Sequence, residues 1–99
     1  MGKYDVYPDP AGKGLLLDVQ SDLLGDMNTR VVVPLLKPAD APIPARRLNP
    51  SFEINATRYV IVTQYLAAIP TSVLGKPVAN LSNHFDEITN AIDMVFQGF

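Results

Sequence analysis

The sequence predicts a mainly β fold, either an α+β domain or a small barrel, with one helix attached at its C-terminal end. Up to about residue 80, short β-branched or alternating segments are separated by proline and glycine, which is typical of strands and turns. From Leu81 onward, the apolar residues recur at helical spacing instead. The length of 99 residues fits one domain, which we assign to residues 1–99.

The strand prediction depends on segments of four to eight residues that favour extended backbone. They are residues 3–7, 15–20, 29–36, 51–55 and 57–64. The strongest is TRVVVPLL at 29–36, because a continuous β-branched run indicates a strand buried on both faces. Pro34 cannot donate to a ladder, so we expect this strand to end or to reach a sheet edge there. Asn55-Ala56 is the expected turn between the fourth and fifth strands.

Three stretches are predicted to lack long regular elements. SDLLGDMN at 21–28 is rich in Ser, Asp, Gly and Asn, yet carries two adjacent leucines, which is unusual for a loop. Residues 37–50 hold four of the nine prolines, a density that excludes helix and regular sheet. Residues 71–78 contain Gly75 and Pro77 and read as a loop or a short strand.

The C-terminal segment predicts an amphipathic helix over about residues 82–96. Its apolar stripe falls at Leu81, Phe85, Ile88, Ile92, Val95 and Phe99, at alternating spacings of four and three. Asn80 or Ser82 is the expected cap, and acidic residues follow in the first turns, where the helix dipole favours them. Gly98 is the expected stop.

The composition excludes several classes of function. The chain has no cysteine, which removes thiol catalysis and cysteine-based metal sites. The net charge is −2 and the basic residues form no run beyond Arg46-Arg47, which argues against a nucleic-acid-binding face. The start lacks a secretory signal pattern, and no apolar run approaches the roughly 20 residues of a spanning helix. We therefore expect a cytoplasmic protein with no membrane contact.

The sequence offers no clear catalytic or metal-binding pattern. His84 is the only histidine, and at a helix start it favours a surface or capping role. The acidic residues of the helix are better explained as a solvated face than as paired catalytic carboxylates. We predict no cofactor and no metal. A metal-free ribonuclease site could still be assembled from scattered arginine and hydroxyl side chains: Arg30, Arg46, Arg47, Arg58, Ser21, Thr29, Thr57 and Thr63.

Four segments together resemble the CcdB family of bacterial toxins. They are DVQSDLL (18–24), RVVVPL (30–35), AIPTSVLGKPVANLS (68–82) and EITNAIDMVFQGF (87–99). The likeness follows the chain in order; it fails in the proline-rich segment 37–50 and is loose over 51–66.

The resemblance implies a fold, partners and a mechanism. The implied fold is a small SH3-like antiparallel barrel with a C-terminal helix, assembled as a two-fold homodimer. The implied partners are the A subunit of DNA gyrase and a cognate CcdA-like antitoxin. Such toxins bind gyrase while its DNA is cut and block resealing. The implied protein is therefore a non-enzymatic poison that acts by binding one conformational state best.

The resemblance also implies which residues touch gyrase. The expected contact set is Phe96, Gln97, Gly98 and Phe99 at the end of the helix, Leu23 and Leu24 in the loop, and Asn90 and Asp93 on the helix. Gln97 departs from the tryptophan of the best-known members. Tryptophan is a typical hot-spot residue, so the departure predicts weaker poisoning.

Two alternatives remain open from the sequence. One is an endoribonuclease toxin of the MazF-like family on the same barrel. The other is a CcdB relative that binds antitoxin but no longer poisons gyrase, which Gln97 makes plausible.

Overall fold

A computed structural model describes residues 2–98, which form a seven-stranded antiparallel sheet curved into a nearly closed barrel, with one C-terminal helix. The strands are β1 (Asp5–Pro8), β2 (Leu15–Asp18), β3 (Thr29–Leu36), β4 (Ser51–Ile54), β5 (Thr57–Ile61), β6 (Ala67–Pro70) and β7 (Ala79–Asn80), and the helix α1 spans Phe85–Gln97. The strand order is β4-β5-β3-β2-β1-β7, and β6 pairs with β3. The predicted strands-then-helix order and the barrel class are confirmed.

Strand β3 is the centre of the sheet. One edge pairs with β2 over Val32–Leu35, while the other edge pairs first with β6 and then with β5. The strand continues through Pro34, so the expected end at that residue is wrong. The Pro34 carbonyl accepts the Val62 N–H at 2.9 Å, so its missing N–H faces the same edge, where the neighbour changes from β6 to β5. The proline therefore removes no bond from a continuous ladder.

Side chains that alternate between the two faces of the strands form two apolar clusters. The larger cluster lies between the curved sheet and α1 and includes Val6, Leu17, Val33 and Ile88. The smaller lies on the opposite side of the same strands; it comprises Tyr7, Leu16, Val32 and Leu74, with Ile69 packed against it. Adjacent residues of β1, β2 and β3 thus point to different clusters, which explains why these strands are apolar on both faces.

The helix begins later than predicted. A 3-10 turn, Ser82–His84, precedes α1 with Leu81 at its cap position, and the Asn80 side chain accepts the Ser82 N–H at 2.8 Å. Leu81 precedes that turn and is buried in the larger cluster together with Ile88, so the start of the predicted stripe faces the core. Ile88, a member of the predicted stripe, is buried as expected and Ala91 is buried beside it, whereas Phe85 and Val95 of the stripe are exposed by 53% and 37%. Gly98 ends the helix as predicted, with a left-handed φ of 77°.

The connections agree with the turn chemistry of the sequence. Residues 37–50 contain no strand or helix, and the buried Asn49 amide holds their last part to the sheet by donating to the Ile61 carbonyl at 3.0 Å. Asn55 and Ala56 form the β4–β5 turn, both with positive φ. Within residues 2–98, the model contains no helix with the length and apolar character required to cross a membrane.

Candidate partner-binding surface

Every residue of the loop at 21–28 is exposed, and the loop is shaped by hydrogen bonds rather than by packing. The Ser21 hydroxyl accepts the Leu23 N–H at 3.2 Å and caps the 3-10 turn Asp22–Leu24. The Leu23 side chain is 95% exposed and Leu24 is 49% exposed. Neither leucine plugs the end of the barrel, so both remain available to a partner.

The end of α1 presents the second part of the predicted contact set. Phe96 is 68% exposed, and Gln97 and Gly98 are also exposed. The Gly98 N–H donates to the Met94 carbonyl at 3.1 Å, which satisfies one free carbonyl of the last turn and turns the chain away from the helix axis. Phe99, the remaining member of the expected set, lies outside the described residues.

An apolar groove joins the loop to the helix. It measures about 340 Å³ and is lined by Val19, Gln20, Ser21, Leu24, Val31, Leu66, Ile92 and Phe96. Leu24 and Phe96 are far apart in the sequence but both line this groove. Leu23 is not part of the lining and lies on the exposed tip of the loop.

Asn90 and Asp93 lie on α1 outside this groove. At about 100° per residue, Asn90, Asp93 and Gln97 share the exposed face of the helix, while Phe96 lies on the flank toward the groove. Asn90 borders a separate pocket of about 230 Å³ formed with Arg46, Arg47, Pro50 and Glu87. The structure therefore unites Leu24 with Phe96, places three polar residues on a neighbouring stripe, and separates Asn90 from the groove.

A buried polar network lies beneath the groove. Asp18 and Arg30 are both buried and pair through two contacts to the same carboxylate oxygen: Arg30 Nε at 2.8 Å and Nη2 at 2.7 Å. The other Asp18 oxygen accepts the Gln20 N–H at 3.0 Å. Burial raises the pKa of Asp18 above its ordinary value, and the bonds from Gln20 and Arg30 partly offset that rise.

The arginine and hydroxyl residues of a possible ribonuclease site have separate partners. Arg30 is buried in its pair with Asp18, and Arg58 donates to the Ser51 hydroxyl at 3.0 Å on the β4–β5 hairpin. The Thr63 hydroxyl is buried and donates to the Leu48 carbonyl. A phosphate could not reach Arg30 without opening the sheet, so these residues do not form one site around it.

His84 has the surface role that the sequence favours. Its Nδ1 lies 3.3 Å from a Glu87 oxygen, and its ring packs on Phe52 with centroids 4.6 Å apart. Within residues 2–98, no group of three or more His, Cys, Asp or Glu side chains is arranged to hold a metal ion.

Sequence reasoning missed the groove floor. Gln20, Val31 and Leu66 belong to three segments that only the fold brings together. One signal could have indicated Gln20, since it lies within DVQSD, a stretch shared with the CcdB-like segments, although no local pattern assigns it a role.

A family model described as CcdB protein matches residues 3–98, nearly the whole chain. The chain belongs to the CcdB family. Members of this family are the toxins of toxin–antitoxin systems, and the antiparallel barrel with its C-terminal helix agrees with that assignment.

Solved structures of other toxins share the fold of this CcdB-family chain. A mycobacterial endoribonuclease in complex with its cognate antitoxin has a TM-score of 0.77 at 16% identity, with 97% of this chain and 94% of that chain covered. The Mycobacterium tuberculosis toxin MazF-mt6 has a TM-score of 0.73 at 12% identity, with 93% of each chain covered. The MazE–MazF structure from Deinococcus radiodurans has a TM-score of 0.69 at 7% identity, covering 98% and 95%. At these identities the likeness establishes a common fold between CcdB-like and MazF-like toxins.

Proposed function

We propose that this CcdB-family toxin binds the A subunit of DNA gyrase and traps the complex in which DNA is cut. The observation that carries the proposal is the groove between the loop and the helix end. Leu24 and Phe96 are both substantially exposed, and both line it. Exposed leucine and phenylalanine at the edge of a groove are typical of a partner-binding surface.

The proposed mechanism is binding without bond chemistry. A ligand that binds the DNA-cleaved conformation of gyrase better than its other states raises the population of that conformation. The toxin supplies apolar area from Leu23, Leu24 and Phe96 and a polar stripe from Asn90, Asp93 and Gln97. Gly98 and Phe99 continue the contact in this proposal.

The second candidate function is RNA cleavage. The shared fold with structures described as endoribonucleases favours it. The burial of Arg30 opposes it, because a phosphate-binding arginine has to reach the surface. We rank it below gyrase poisoning for that reason.

The proposed assembly is a cytoplasmic homodimer neutralised by an antitoxin. The likeness to a toxin solved with its cognate antitoxin, and to a MazE–MazF structure, supports an antitoxin partner. We propose that this partner is a CcdA-like chain with a disordered segment that folds on the toxin, since such a segment can cover a large surface.

The decisive experiment incubates the purified toxin with gyrase and supercoiled plasmid, denatures the complex and looks for linear DNA. Linear DNA that depends on both proteins is the expected result, and a parallel incubation with RNA is expected to show no cleavage. RNA cleavage without DNA cleavage would replace the proposal with the ribonuclease. Loss of both activities with retained antitoxin binding would identify a non-poisoning relative.

A matched pair of variants tests where gyrase binds. Leu23 and Ile43 are each 95% exposed, but Ile43 lies in the proline-rich segment away from the groove lining. Leu23→Ser should reduce linear DNA strongly, whereas Ile43→Ser should not. Equal effects would show that the loop is not the contact.

A further inference from the structure

We propose that Gln20 is a positioning residue that fixes the Asp22–Leu24 turn for its partner. The inference extends the proposed function, because it concerns how the groove beside Leu24 is held in shape. The loop carries two exposed leucines, and none of residues 21–28 is buried. Packing therefore does not fix the position of the loop, and hydrogen bonds have to do so.

At the point where the chain leaves the sheet, the Gln20 side chain takes the place of a backbone peptide group in the β2–β3 ladder. The β2–β3 ladder ends with the Val19 N–H donating to the Val31 carbonyl at 3.0 Å. Beyond it, the Gln20 Oε1 accepts the Val31 N–H at 3.0 Å. The side-chain amide thus occupies the place of the next peptide group, and the main chain is free to turn into the loop.

The same side-chain amide also bonds the Asp22–Leu24 turn. Gln20 Nε2 donates to the Leu24 carbonyl at 2.9 Å, and that carbonyl also accepts the Met27 N–H at 3.2 Å. Gln20 is buried, and it lines the groove together with Leu24 and Phe96. One buried side chain therefore links the central strand of the sheet to the backbone of Leu24.

The main chain of Gln20 is itself held in place by a buried hydrogen bond. Its backbone N–H donates to Asp18 Oδ1 at 3.0 Å, while the other oxygen of Asp18 is bound by buried Arg30. Because both side-chain hydrogen bonds of Gln20 are partly buried, they constrain the turn more than an exposed bond does. The Lys3 N–H to Asp22 Oδ1 bond at 2.9 Å is a second tether, but it is exposed.

Gln20→Met tests the inference, because methionine keeps the size of the side chain but neither donates to Leu24 nor accepts from Val31. The matched control is Asn49→Leu, which removes another buried amide that bonds Ile61 and Gln64, on residues that do not line the groove. Both variants lose a buried side-chain amide and its hydrogen bonds, so a general loss of stability affects both.

Two measurements on these variants separate the inference from the proposed function. Hydrogen exchange should become about tenfold faster at the Leu24, Gly25 and Met27 amides in Gln20→Met but not in Asn49→Leu. Equal exchange at these amides in the two variants would overturn the inference, whether or not the wild type binds gyrase.

The second measurement is affinity for the gyrase A subunit, where Gln20→Met should weaken binding about tenfold more than Asn49→Leu. Equal affinities would overturn the positioning role. A wild type with no gyrase affinity would refute the proposed function alone, and the exchange result would still decide the role of Gln20. Gln20→Glu, which can accept from Val31 but cannot donate to Leu24, should reproduce the faster exchange.

Discussion

At the scale of single residues, the β4–β5 turn stores backbone strain that one substitution would relieve. Ala56 adopts a φ of 68°, a left-handed conformation that costs an L residue about 1–2 kcal/mol, whereas glycine adopts it freely. We expect Ala56→Gly to raise the free energy of unfolding by about 0.5–1 kcal/mol after the entropy lost by glycine is subtracted. Urea unfolding would measure this directly.

The control for this prediction is the same substitution in extended backbone. Ala68 lies in β6 and is exposed, so Ala68→Gly should lower the free energy of unfolding by about 0.5–1 kcal/mol. If both substitutions destabilise the protein equally, strain at Ala56 is not significant.

The Asp18–Arg30 pair predicts strong coupling between two buried charges. Arg30→Met leaves the Asp18 carboxylate buried without its partner, which should cost about 3–5 kcal/mol of unfolding free energy. Adding Asp18→Leu should recover most of that loss, because a packed apolar pair of similar volume is often neutral. Additive losses in a double-mutant cycle would contradict this account.

Some residue-level features could be predicted from the sequence and others could not. The exposure of Leu23 and Leu24 followed from their position in a polar loop, and Gly98 followed from its place at a helix end. The burial of Arg30 could not be predicted, because its partner Asp18 lies on another strand and only the β2–β3 register brings them together. Gln20 was missed for the same reason.

At the scale of elements, α1 carries two exposed phenylalanines that serve as a matched pair. Phe96 lies at its C-terminal end on the groove, and Phe85 lies at its N-terminal end away from the groove lining. Because Phe96 is mostly exposed, Phe96→Ala should change the melting temperature little while weakening gyrase binding by about 2 kcal/mol, as a hot-spot truncation does. Thermal melts and binding titrations on the same preparation would measure both effects.

Phe85→Ala is the comparison for that result, since it removes a similar exposed ring from the same helix. It should leave gyrase affinity unchanged. A large fall in melting temperature for Phe96→Ala alone would mean that this ring supports the fold rather than the contact, and the groove would lose its assigned role.

The spacing of apolar residues predicted some features of α1 and not others. The spacing correctly predicted one amphipathic helix and its stop at Gly98. It placed Leu81 and Ile88 correctly in the core but also placed Phe85 and Val95 there, which lie near the two ends of α1 and are exposed, because spacing shows which face of a helix is apolar but not how much of its length is covered.

Gln97 gives a gain-of-function prediction at the end of this element. Its side chain is exposed on the same stripe as Asn90 and Asp93, so a larger residue there should not disturb the core. Gln97→Trp should lower the dissociation constant for gyrase by about tenfold, because tryptophan adds contact area at little entropic cost. Gln64→Trp is the control, because Gln64 is also exposed. It should leave the affinity for gyrase unchanged. A similar gain in affinity there would indicate nonspecific binding by the added tryptophan.

At the scale of the whole molecule, the order of the strands along the sequence could be predicted better than their pairing in the sheet. The segments, their sequence order and the single helix could all be predicted from local patterns. The route of β3 past both β5 and β6 could not, because Pro34 predicted an edge where the sheet instead changes partner. The groove is a product of that pairing, since Val31 and Leu66 meet Leu24 only after β6 docks on β3.

The last prediction concerns assembly. Several large apolar side chains are exposed within residues 2–98, on the loop, on α1 and on the 3-10 turns, and contact with a second copy would remove some of their area from water. We expect a two-fold homodimer in which one patch pairs with its own copy. Light scattering at tens of micromolar should then give twice the 10.8 kDa mass of one chain. Because association stabilises only the folded state, the melting temperature should also rise with protein concentration. A single-chain mass together with a concentration-independent melt would show that these side chains are free for other partners.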